Sequence, residues 1–180
     1  MLSNKTYKFW FCTGSQDLYG DECLRKVAEH SAKMVEALNA SDKIEYEIVL
    51  KPTLISQASI RQTLNDANND PECAGVITWC HTFSPAKMWI LGLKEFKKPL
   101  CHLHTQFNEE LPYDTIDMDF MNENQSAHGD REYGHIVSRM GIEREIIVGH
   151  WANEKVQERI GSWMTTAIGA VSYTHLRAHE

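Results

Sequence analysis

Three stretches of the chain place hydroxyl, amide and ring donors where apolar runs stop. Residues 14–20 read GSQDLYG, residues 81–89 read HTFSPAKMW, and residues 102–108 read HLHTQFN. Each ends a short run of β-branched, aromatic or small apolar residues, the pattern of a buried strand. In an open α/β sheet, ligands bind outside the carboxyl ends of the strands. Such loops suit a small ligand rich in hydroxyl groups, in a wet pocket of sugar size. They do not suit phosphate, because neither GxGxxG nor GxxxxGK[ST] occurs in the sequence, and those spacings carry dinucleotide and P-loop binding. No GxSxG elbow occurs either, which argues against nucleophilic hydrolysis.

The chain has nine histidines. His102 and His104 alternate on a strand end and so point the same way, and His81 ends a neighbouring strand. With Asp117 or Asp119 they have the residue types of a His/carboxylate metal site. Hydrogen-bonded histidines beside a polar cleft are the plainer reading, and no residue of the chain is assigned to a metal. Asp114, Asp117 and Asp119 fall within six residues. Paired carboxylates suit general acid/base work, but the calcium-loop offsets are not met, and capping of the next helix is the preferred role for Asp117 or Asp119. Asn122, Gln125 and His128 fall at i, i+3 and i+6, near one face of a helix. Spacing alone favours an exposed polar face there. Trp151 and Trp163 are expected to pack.

The elements that must position these groups alternate in type. Strands are expected at 7–12, 44–50, 74–80, 99–103 and 145–148. Helices are expected at 21–40, 55–67, from Pro85 to about residue 96, at 120–140, and after an Asn153 cap. Residues 105–118 read as irregular. Five β-α repeats with continuous apolar strands imply an α/β fold, a three-layer α/β/α doubly wound parallel sheet. A flavodoxin-like strand order is preferred and a Rossmann-like order is the rival.

Composition sets the bounds. The 180 residues are 42% hydrophobic and 24% charged, with net charge −7, which suits one globular domain and argues against nucleic acid as a partner. Five cysteines without CxxC spacing do not form a disulfide framework or a zinc knuckle, and they fit a reducing compartment. No long apolar run marks a leader or a membrane span. The expectation is a cytoplasmic, soluble protein.

Residues 14–20, 49–52 (VLKP), 73–93 (CAGVITWCHTFSPAKMWILGL), 99–107, 116–129 (IDMDFMNENQSAHG) and 149–164 (GHW…ERIGSWM) closely resemble the N-terminal domain of bacterial L-arabinose isomerases. The resemblance covers roughly residues 7–167, nearly the whole chain. It implies an aldose–ketose isomerase of arabinose catabolism, converting L-arabinose to L-ribulose and often D-galactose to D-tagatose. It implies Mn2+ held by two glutamates and two histidines, none of which is His81, His102, His104 or His128. Those ligands would lie downstream, in central and C-terminal catalytic domains. The chain is therefore read as a fragment: 1–170 the N-terminal domain, 171–180 a tail that does not match the family, and no catalytic residue of its own. The resemblance also implies a homohexamer in which this domain borders a neighbour's active site. It assigns Gln16, Leu18 and Tyr19 to the sugar pocket, with Phe83, Gln125 and His128 carried over beside them. Two other readings compete. One is a non-catalytic, flavodoxin-like module binding a small molecule. The other is a hydrolase built on His102, His104 and the acids near 117.

Overall fold

The computed structural model describes residues 7–177, with side chains to residue 172. Five parallel strands lie in the order β2-β1-β3-β4-β5. They are β1 (Lys8–Gly14), β2 (Glu47–Leu50), β3 (Cys73–Cys80), β4 (Leu100–His104) and β5 (Glu145–Val148). This is the flavodoxin-like order, not the Rossmann one. Strands β1 and β3 lie inside the sheet with a helical layer on each face. All eight residues of β3 are buried, which is why its sequence reads as one apolar run rather than an alternation.

The period of two along each strand sorts side chains between two cores. One face carries Phe9, Phe11, Ile77, Trp79, Cys101 and Leu103. Against it pack α1 (Gly20–Ala40), through Met34, Val35 and Leu38, and α6 (Glu154–Arg177), through Val156, Ile160 and Met164. The other face carries Trp10, Cys12, Val76 and Leu100, covered by α2 (Gln57–Asn69), α3 (Ile90–Glu95) and α5 (Ser126–Arg139). Trp163 meets Phe9 at 5.2 Å between ring centres, and Trp151 donates from Nε1 to the Phe107 carbonyl at 2.9 Å. Both tryptophans are packing residues, as expected.

Local chemistry sets the boundaries. Helix α2 starts two residues later than its periodicity suggests, because Ser56 and Ser59 form a reciprocal capping box that satisfies otherwise unpaired N–H groups. Asp117 accepts from the Phe120 N–H at 2.8 Å and caps α4 (Met118–Glu123). Asn153 Oδ1 accepts from the Lys155 N–H at 3.0 Å and starts α6. After Pro85 the chain makes a 3-10 turn, Ala86–Trp89, before α3 begins.

The single helix expected over 120–140 is two helices. The break falls at Asn124 (φ −113°, ψ 56°). Its side-chain amide donates to the Phe120 carbonyl at 2.9 Å, the local competition with the helical ladder that Asn supplies. Gln125 then stands at the N-cap of α5, so Asn122, Gln125 and His128 do not share one helix face. Helix α6 continues to Arg177, and Val171 packs against the first core. Residues 178–180 of the expected tail lie outside the described residues. Among the described residues, no helix is long and apolar enough to cross a membrane.

Candidate functional site

A cleft of about 1070 Å³ opens beside the carboxyl ends of β4 and β5, lined by His104, Gln125, His128, Asp130, Arg131 and His150 among others. Strand β4 supplies His104, the turn after β5 supplies His150, and the first two turns of α5 supply His128, Asp130 and Arg131. Its rim is apolar and exposed, with Leu111, Met121 and Val148 more than half open to solvent.

Beneath the cleft runs a buried polar network. In the β3–β4 register Thr78 stands opposite His102, and both point toward α5. Thr78 Oγ1 lies 2.7 Å from His102 Nδ1, 3.2 Å from the Cys101 carbonyl and 3.2 Å from Tyr133 Oη. A threonine hydroxyl has one proton. In the tautomer where Thr78 donates to the carbonyl or the phenol, His102 supplies the proton at Nδ1. Its Nε2 is then a lone pair, and it faces Asp130 Oδ1 at 2.7 Å.

In that tautomer the proton between them belongs to Asp130. Burial pushes the Asp130 carboxyl up to about 7, and burial, with Arg144 nearby, pushes His102 down to about 3. Both shifts favour the neutral acid beside the neutral imidazole. Asp130 Oδ2 lies 3.4 Å from Nδ1 of His104, whose Nε2 is buried without a partner. Burial lowers His104 as well.

The alternative constellation of His81, His102, His104 and Asp117 or Asp119 as a metal site does not form. His102 and His104 are together, with ring centres 4.6 Å apart, but their acid is Asp130, while Asp117 is occupied as a helix cap. His81 is one residue past Cys80, and the two-residue period sends it to the opposite face of the sheet. There its Nε2 lies 2.7 Å from His30 Nδ1 of α1, its ring stacks on Trp79 at 4.6 Å, and burial holds it down at about 3.

The topological switch point, between the ends of β1 and β3, is closed. Ser15 Oγ and Thr82 Oγ1 meet at 2.6 Å, and Trp89 Nε1 donates to Ser84 Oγ at 3.0 Å. Gly14 has no side chain because a Cβ there would meet Ser84 Oγ at 2.7 Å and Trp89 at 2.8 Å. The crevice that holds phosphate or flavin in related topologies is here filled by the protein itself.

The sequence pattern of the L-arabinose isomerase N-terminal domain matches residues 3–175. The chain belongs to that family. It is 60% identical over 177 residues to the L-arabinose isomerase of Halalkalibacterium halodurans, covering 98% of this chain and 36% of the relative. Against the L-arabinose isomerases of Geobacillus thermodenitrificans and Bacillus subtilis it is 55% and 52% identical over the same shares of each chain. The chain thus spans about a third of the length of these relatives.

The six residues that the L-arabinose isomerase resemblance assigned to a pocket are not all together. Gln125 and His128 line the large cleft. Phe83 stacks on His128 at 4.5 Å from behind. Tyr19 lines a separate hollow of about 180 Å³, with Lys26, Asn122 and Glu123. Helix α4 divides the two, presenting Asn122 and Glu123 to the hollow and Phe120 and Asn124 to the cleft. Gln16 is half-buried beside Leu18, which is 80% exposed.

Asp130 was not anticipated, although a signal was present. Ser126, Asp130, Tyr133 and Val137 make one inward stripe of α5, and a carboxyl on such a stripe marks a buried, partnered acid.

Proposed function

We propose that this chain is the sugar-pocket and assembly portion of an enzyme that converts L-arabinose to L-ribulose and D-galactose to D-tagatose. The observation that carries the reading is the large cleft, where an amide (Gln125) and an imidazole (His128, backed by the Phe83 ring) line one wall. Such groups pair with hydroxyls, and a sugar that leaves one of them unpaired is rejected steeply. Phe83 fixes the imidazole plane and keeps water off its rear face. Leu18, Tyr19 and Gln16 stand outside this cleft and are free to meet a sugar bound by a neighbouring subunit of a homohexamer. The exposed rim of Leu111, Met121 and Val148 fits a surface that another subunit or a downstream domain covers.

The isomerase's Mn2+ does not fit the residues of this chain. Among the described residues, the one group with ligand atoms close enough is Cys80, His102 and Asp130, and a thiol ligand disfavours manganese, which prefers oxygen. The ligands, and with them the hydrogen transfer between C1 and C2, belong to chain beyond this segment. The isolated chain is inactive in this reading. The competing small-molecule module has less support, because the switch-point crevice is closed by Ser15, Thr82, Ser84 and Trp89.

The test uses the full-length enzyme that carries this segment. Gln125→Ala and His128→Ala should each lower kcat/KM for L-arabinose by about tenfold or more, since a lost hydrogen bond is worth roughly 1 kcal/mol and more in a matched site. Bound manganese should be unchanged. Unaltered kinetics, or loss of the metal, would overturn the assignment.

A further inference from the structure

Below the cleft, three groups with electron pairs to give converge from two strands and a helix. Cys80 ends β3, His102 lies on β4 and Asp130 on α5, and their ligand atoms all lie within 4.8 Å of one another. Cys80 and His102 share a sheet face because Cys80 follows Thr78 by two residues and Thr78 pairs with His102. All three are buried, Cys80 and His102 at 0% exposure and Asp130 at 5%. Helix α5 comes this close through Gly129, where a Cβ would stand 3.1 Å from Cys80 Cβ.

We propose that Cys80, His102 and Asp130 form a binding site for a zinc-class divalent cation, beneath the cleft that Gln125 and His128 line and independent of the isomerase reading. The donor set is a thiolate, an imidazole and a carboxylate, the mixture that zinc takes and manganese or magnesium does not. The imidazole is already set for it. Its Nδ1 is fixed by Thr78 Oγ1 at 2.7 Å, which leaves Nε2 to coordinate, the outer-shell arrangement found around metal-bound histidines. Asp130, the least buried of the three, borders the open cleft beside His104 and marks the side from which an ion would enter. His104 stands beside the group, with its Nδ1 3.4 Å from Asp130 Oδ2.

Charge balances. Binding takes one proton from the Asp130 carboxyl and one from the Cys80 thiol, and two negative ligands neutralise a 2+ ion. A neutral assembly is what a buried site tolerates.

The experiment uses this chain, stripped with chelator and then titrated with zinc or cobalt. The expected result is one ion per chain, about two protons released per ion into weak buffer, and a near-ultraviolet thiolate-to-cobalt charge-transfer band. Cys23→Ser, at a half-buried cysteine that lines the smaller hollow and not this group, should keep the band. Cys80→Ser should lose it. Thr78→Val should weaken zinc binding by about 10–100-fold. Far-ultraviolet circular dichroism checks that each variant folds. If Cys80→Ser does not fold, the band and proton count of the parent chain decide the matter alone. A folded parent chain that binds no zinc overturns the proposal, as does cobalt binding with no thiolate band, which would place the ion on other histidines.

Discussion

Replacing Asp130 by asparagine should change how stability depends on pH, in a direction and by an amount that the buried network fixes. In the metal-free folded chain the Asp130 carboxyl keeps its proton up to about pH 7, whereas its ordinary value is 3.8. Between those values the folded state binds one proton more at this position than the unfolded state does. The stability this group contributes is therefore whole below pH 3.8 and is lost as pH rises through about 7. Each pH unit is worth roughly 1.4 kcal/mol, so the interval amounts to about 4 kcal/mol. Asparagine has the same shape, and its N–H2 can donate to His102 Nε2 as the carboxylic acid does, but it does not titrate. The stability of Asp130→Asn minus that of the parent should rise by about 4 kcal/mol from about pH 4 to about pH 7.5. Taking the difference cancels the separate acid sensitivity of His30 and His81, which burial lowers in both proteins. Urea unfolding of chelator-treated protein across that range measures it. A difference that stays within about 1 kcal/mol at every pH, or that falls as pH rises, would refute the placement of the proton on Asp130.

Two further substitutions probe the frame around the site. Gly14→Ala puts a methyl group against Ser84 and Trp89 in the closed switch point, and should cost about 1–3 kcal/mol in urea unfolding; a neutral result would mean that the crevice has room to spare. Ser56→Ala removes the capping box of α2 and should cost about 1 kcal/mol, which a fall in thermal midpoint would record.

Much of the architecture was legible in the chain because it is a matter of local pattern. The five strands announce themselves as apolar runs closed by Gly, Pro or polar residues, and β5 was found at its observed bounds, Glu145–Val148. The helix starts at Asp117 and Asn153 were legible because a short polar side chain before a periodic stripe has one favourable use. The exception in α4 and α5 is also local. Asn124 bonds back to Phe120, an option that periodicity does not reveal. The family was legible for a different reason, since long blocks such as residues 73–93 are specific as words rather than as physics.

The site was only half legible, and the division follows sequence distance. Gln125 and His128 lie in one short segment that spacing alone reads as an exposed polar face, and it was the family resemblance that pointed to them. Asp130 could not be matched with His102 from the sequence, because their pairing spans 28 residues and depends on where α5 lands on the sheet. The two-residue period of a strand is a sequence property, and it separates His81 from Cys80. Which helix waits on each side is not. The sequence by itself determined the elements other than the α4–α5 break, the family and the polar character of the strand ends, because those depend on neighbours in the chain. Only the tertiary structure decided that the switch point is closed, that the cleft opens beside β4 and β5, and that a thiol, an imidazole and a carboxyl meet beneath it. Those outcomes depend on packing between elements, where a single Cβ at Gly14 or Gly129 determines how closely two surfaces approach.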